Sequence, residues 1–217
     1  MSEVWDEQTN EQPYIAASYS HSLGQLWAID TSGGQSTVEL GWTEAPGQYP
    51  DVEVHLFVAM EDGGEYREGG YIGLSSIPWV QTSSTAFPNM IISHTDHIHF
   101  YAIKESGGNW WIWYEGQYLG YIPHTAWVHH FPKPHLLEWG GEVATPEEYT
   151  CTDMGNGHYG NESVSAAVTY TFWVNSFYAE PSELEGFASD FSQYNPQQWY
   201  PTKGLPYEFH YGGPGWC

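Results

Sequence analysis

Short runs of alternating apolar and polar residues, cut every few positions by glycine or proline, constrain this chain more than any other feature. Its 217 residues hold 24 Gly and 14 Pro, and no stretch keeps a 3.6-residue apolar period over three turns. That pattern disfavours helices that bury a stripe and favours strands packed as an antiparallel sandwich or barrel. Strand patterns fall at 17–19, 25–30, 37–42, 52–60, 71–74, 79–81, 90–92, 97–104, 109–114, 117–123, 136–143, 166–174 and 207–211. Turn signals such as Ser32-Gly33-Gly34, Glu61-Asp62-Gly63-Gly64 and Ser106-Gly107-Gly108 separate them, the last joining a hairpin. A short helical turn is expected within 126–134, and 180–200 reads as a long loop. Residues 1–14 are polar and read as an N-terminal arm, with 15–217 forming one domain.

Two strands each offer a glutamate beside a glycine. Side chains alternate between strand faces. In Thr37-Val38-Glu39-Leu40-Gly41-Trp42, Val38, Leu40 and Trp42 share the apolar face while Glu39 and Gly41 share the other. In Leu137-Glu138-Trp139-Gly140-Gly141-Glu142-Val143, Trp139, Gly141 and Val143 oppose Glu138, Gly140 and Glu142. Each glutamate has a same-face glycine two residues away, which leaves space against the sheet. Each strand looks like half of an active site; an ordinary solvated face is the alternative reading. Glu138 shares the face of Glu142 and is the main decoy.

Charge narrows the partners. Against 27 Asp+Glu stand 4 Lys+Arg, a net charge of −23. Such a field repels phosphate, so neither nucleic acid nor an anionic membrane is an expected partner. No apolar run reaches membrane-spanning length. At low pH carboxylates neutralise and few cations remain to repel one another, so the composition suits a protein working in acid. A salt-adapted surface is the rival, but a charged fraction of 14% is modest for one.

Cys151 and Cys217 can form one disulfide or stay reduced. The first residues carry no secretion-signal pattern, which fits an intracellular chain or a mature form. His97 and His99 share a strand face near His94, while His129, His130 and His135 lie on another segment. No third convincing ligand accompanies either set, and neither metal nor cofactor is expected. No motif of serine, zinc or nucleotide chemistry is present.

Several segments, in order, resemble the neprosin family. Thr37-Val38-Glu39-Leu40-Gly41-Trp42-Thr43 with Pro46 and Tyr49 is similar to its first glutamate segment. Gly108-Asn109-Trp110-Trp111-Ile112 and Leu119-Gly120-Tyr121-Ile122-Pro123 resemble its Trp-rich hairpin, and Trp139-Gly140-Gly141-Glu142-Val143 its second glutamate segment. Asp153-Met154-Gly155-Asn156-Gly157-His158 and Phe209-His210-Tyr211-Gly212-Gly213-Pro214-Gly215 complete the match. The resemblance implies a glutamic peptidase, a sandwich of two antiparallel, curved β-sheets with a concave substrate groove. It implies activity in acid, cleavage after proline, secretion, and Glu39 and Glu142 as the catalytic pair. Departures are present: Gly69-Gly70-Tyr71, Ser75, Ser76 and Trp199-Tyr200 stand where the family has cysteines, and Ile122 replaces a tryptophan.

Two carboxyl groups sharing one water cannot both ionise cheaply, so the pair is expected to hold one proton and titrate as a unit. Such a pair has a base for water and an acid for the carbonyl or leaving amine. Glu142 is assigned as base and Glu39 as acid or oxyanion partner, with the opposite assignment left open. Trp110, Trp111, Trp113, Tyr114 and Tyr121 are the subsite candidates, whereas Trp42 and Trp139 are assigned to the core. Protein or proline-rich peptide substrates and a secreted monomer are the corresponding expectations. A carbohydrate-binding or glycoside-hydrolysing sandwich is the competing function.

Overall fold

The computed structural model describes residues 2–5, 20–31, 36–63, 65–68, 77–92, 98–145, 151–174, 179–181, 190–199 and 207–215. The first half forms seven strands in the described residues: β1 (Ser2–Trp5), β2 (His21–Asp30), β3 (Ser36–Glu44), β4 (His55–Asp62), β5 (Glu65–Glu68), β6 (Val80–Gln81) and β7 (Ile98–Ser106). The second half adds β8 (Asn109–Tyr114), β9 (Gln117–Ile122), β10 (Leu136–Ala144), β11 (Ala166–Val174), β12 (Ala179–Pro181), β13 (Asn195–Trp199) and β14 (Tyr207–Gly212). One 3-10 turn forms at His124–Ala126, ahead of the 126–134 stretch where a helical turn is expected. Two antiparallel sheets result. The smaller runs β10-β2-β3-β4-β5; the larger runs β13-β14-β11-β1-β7-β8-β9-β6, with β12 added on β11. The chain is an all-β sandwich.

Alternation decides which residues fill the space between the sheets. Ala28, Val38, Leu40, Trp42, Leu56, Val58 and Met60 of the smaller sheet belong to one core with Tyr101, Trp110, Ile112, Tyr114, Leu119 and Ile122 of the larger. A second core, of Ala166, Val168, Phe209 and Tyr211, packs against Trp139 and Met154 behind β10. Gly24 and Gly141 are cross-strand partners, and a Cβ on either would run into Tyr211. These two glycines let the β14 tyrosine reach the back of the smaller sheet.

Ser106 pairs with Asn109 in the β7–β8 hairpin, with Gly107 and Gly108 at φ +64° and +85°. Two successive left-handed residues are what a tight hairpin of this hand requires. Three expectations change. Ser2–Trp5 is not a free arm but a strand between β7 and β11. The 180–200 region contains β13, whose Pro196 is tolerated because that strand lies at the sheet edge. Within 90–92 only a single bridge, Ile91 to His55, forms. The runs at 17–19 and 71–74 lie outside the described residues.

Candidate active site

The residues of β2, β3 and β4 that point away from the core line the outer face of the smaller sheet. Cross-strand rows fix the layout. Glu138, Trp27, Glu39 and Ala59 form one row; Gly140, Gln25, Gly41 and Phe57 the next; Glu142, Leu23, Thr43 and His55 a third. A cavity of about 220 Å³ opens on this face. β2 contributes His21, Leu23, Gln25 and Trp27 to it, and Glu39, Thr43, Gln48, Phe57 and Glu142 complete the wall. Glu39 and Glu142 therefore serve one cavity, although 102 positions separate them in sequence.

Their environments differ because their strands do. β3 is the central strand and all nine of its residues are buried. Glu39 is only 6% exposed. The Thr37 hydroxyl, two residues away on the same face, donates to its Oε1 at 2.9 Å. Gln25 supplies a second donor. The Trp27 indole N–H can only donate, which assigns the Gln25 amide oxygen to that side at 3.0 Å. The amide nitrogen then donates to Glu39 Oε2 at 3.1 Å. Glu142, on the edge strand β10, has a side chain 53% exposed, with Oε1 3.5 Å from His21 Nε2. One carboxyl is clamped in the floor; the other stands at the rim beside an imidazole.

The register also measures their separation. Glu39 is opposite Trp27 and Glu142 opposite Leu23, so two strand steps and four residues lie between them. On an ideal sheet that diagonal is about 16 Å between Cα atoms. Long side chains shorten it, and both residues line the one cavity. Gln25 occupies the intervening row.

The two same-face glycines act differently. A Cβ at Gly41 would strike the β2 backbone and the Cβ of Gln25, so that space is already filled. At Gly140 the nearest atom would be a Trp27 ring carbon at 4.0 Å, and the floor there is open.

The five aromatic subsite candidates do not join the cavity. Trp110 is 2% exposed, donates its indole N–H to the Phe131 carbonyl at 3.0 Å and belongs to the core with Tyr114. Trp111, Trp113 and Tyr121 alternate with these inward residues and face outward from the larger sheet, where Trp111 packs on Tyr121 at 4.5 Å. Periodicity divides β8 into two faces but does not say which sheet the strand joins. The aromatics at the cavity are instead Trp27 and Phe57. Trp42 is buried in the core, and Trp139 is half-buried against the second one. Glu138 is exposed and lines no part of the cavity.

Sequence reasoning missed Gln25, Trp27, Phe57 and His21. The available signal was the alternation Leu23-Gln25-Trp27, which sets a long polar side chain between two apolar ones on one face of the strand. Of the histidines weighed for metal, His129 Nδ1 lies 3.1 Å from Asp62 and His135 Nδ1 2.7 Å from Asp30, while His94 and His97 lie outside the described residues. Among the described residues, no group of three or more His, Cys, Asp or Glu side chains converges as a metal site.

The Asp153–His158 segment braces the site from behind. Met154 pairs with Gly213 and packs into the second core beside Gly141. Asn156 is buried, donating to the Val164 carbonyl at 2.6 Å and accepting the Ala166 N–H at 3.2 Å. These contacts hold the back of β10 one residue from Glu142. A family model described as Neprosin matches residues 18–214, nearly the whole chain. That match points to a hydrolase of peptidase type. The chain belongs to the neprosin family.

Proposed function

We propose that this protein is a glutamic endopeptidase acting in acid, with Glu142 as base and Glu39 as acid. The observation that carries this reading is the opening of both glutamates, from non-adjacent strands, into one cavity. A rim carboxylate beside solvent is placed to take a proton from water as that water attacks the peptide carbonyl. Glu39, buried in the cavity floor, is the carboxyl assigned to pass a proton to the leaving amine. The diagonal spacing favours a separated acid and base over a pair with one shared proton. Trp27 and Phe57 offer an apolar wall against which a proline ring can pack, which supports cleavage after proline.

Protein or peptide substrates, including proline-rich ones, and a secreted monomer complete the reading. Cys151 is disulfide-bonded, which supports an oxidising compartment. The separated carboxyls also suit inverting glycosidases, whose two acids stand well apart. A quenched proline-containing peptide and a soluble glucan, each assayed from pH 2 to 8, distinguish the two. Acid cleavage of the peptide that resists serine, cysteine and metal inhibitors supports the peptidase; cleavage of the glucan alone overturns it.

A further inference from the structure

Gln25 is 4% exposed, yet it lines the cavity and sits in the row between the rows of Glu39 and Glu142. Its row neighbours are Gly41 and Gly140, neither of which carries a side chain to cover it. Burying an amide is costly unless its groups are paired. Two of its groups are: the oxygen by Trp27 Nε1 and one N–H by Glu39 Oε2. An amide nitrogen carries two N–H bonds. The second belongs to a group whose orientation a donor-only indole fixes.

We propose that the Gln25 amide contacts substrate, donating its second N–H to the carbonyl oxygen of the scissile bond, with Trp27 as the residue that holds it in that orientation. The proposal rests on the peptidase reading above and adds a third group to it. As water oxygen bonds to the carbonyl carbon, the C=O π pair moves onto oxygen and Glu142 takes the water proton. The oxyanion so formed accepts the Gln25 N–H. Glu39 then gives its proton to the amide nitrogen as the C–N bond breaks and the carbonyl re-forms. Glu142 returns its proton to solvent and Glu39 regains one. Stabilisation by such a donor is greater in the transition state than in the ground state, because charge develops on the oxygen it faces.

The test compares kcat and KM of Gln25→Met, Trp27→Phe, Glu39→Gln and Glu142→Gln on one quenched peptide, with melting temperatures alongside. Gln25→Met keeps the side-chain length and loses the donor; kcat falls about 100-fold or more, the effect of removing one oxyanion donor, while KM moves little. Trp27→Phe keeps a ring but frees the amide to turn over, so kcat falls by a smaller factor, roughly tenfold. Trp27 is only half-buried, so this variant carries the test if Gln25→Met fails to fold. Unchanged kcat in Trp27→Phe and in any folded Gln25→Met, with both glutamate variants inactive, overturns the role of Gln25 alone. A loss confined to KM does the same. Near-normal turnover in either glutamate variant removes the peptidase reading itself, and the Gln25 role with it.

Discussion

At the scale of single residues, the site is a buried carboxyl with dedicated donors facing an exposed one. Thr37 and Gln25 share the satisfaction of Glu39, so each is expected to matter beyond its own volume. Thr37→Val keeps the shape and removes the hydroxyl that donates to Oε1. A loss of about 1–2 kcal/mol in unfolding free energy is expected, together with slower turnover, read by urea titration and peptide cleavage. Much of this was legible in the sequence. Period-2 alternation puts Glu39 and Thr37 on one face and Glu142 on the outward face of its own strand. What alternation cannot supply is pairing: it marks Gln25 as a polar residue among apolar ones but does not say that β2 lies between β3 and β10. The outward-facing β8 aromatics show the same limit, since a tryptophan facing out of one sheet reads like one facing a groove in the other.

At the scale of elements, β10 is an edge strand with two adjacent glycines that do opposite things. Gly141 faces inward, where a Cβ would meet the Tyr211 ring and Met154. Gly141→Ala is expected to cost about 1–3 kcal/mol, as overpacking does. Gly140 faces the cavity with open space above it. Gly140→Ala should leave stability within about 0.5 kcal/mol and lower kcat/KM by narrowing the floor. Thermal melts and peptide kinetics on the two variants separate these outcomes. Equal loss of stability in both would contradict the assignment of faces. Element-level legibility was uneven for physical reasons. Long alternating runs such as 37–42 and 109–114 were plain, because burial of one face writes itself into the sequence. Ser2–Trp5 and Asn195–Trp199 were not, because a strand of only four residues and an edge strand with a proline owe their form to neighbours rather than to their own pattern.

At the scale of the whole molecule, acid suits the charge arrangement. Six histidines in the described residues lie 2.7–3.5 Å from a carboxylate oxygen. With 4 Lys+Arg in the chain, histidine supplies most of the counter-charge once pH falls below its ordinary titration range. Glu44, the last residue of β3, points the same way. Burial first, then the charges of Glu53 and Asp153, push its carboxyl up to about 7. A carboxyl raised in the folded state binds protons there more tightly than in the unfolded chain. Its favourable contribution is complete below the ordinary glutamate value and is lost as pH rises to about 7, by up to about 3 kcal/mol. The opposite sign holds for Asp51, lowered chiefly by the His55 hydrogen bond, and Glu162, lowered chiefly by that of His158. Burial pulls Asp62 up, but the Val128 and His129 donors outweigh it and hold it low. These contributions are present above the ordinary carboxylate range and fade as pH drops through the lowered values. Stability is therefore expected to peak in mild acid. Melting temperatures from pH 3 to 8 should fall between about pH 4.5 and 7, and Glu44→Gln should flatten that slope. An unchanged slope in the variant would place its cause elsewhere.

The central claim is that Glu39 and Glu142 act as a separated acid and base on one peptide bond. Its most direct test is kcat/KM for a quenched proline-containing peptide, followed from pH 2 to 8 in the unaltered protein, Glu39→Gln and Glu142→Gln. The account predicts a bell in acid for the unaltered protein and a loss of about 1,000-fold or more in each variant. Near-normal turnover in either variant, at the pH where the unaltered protein works best, would contradict it.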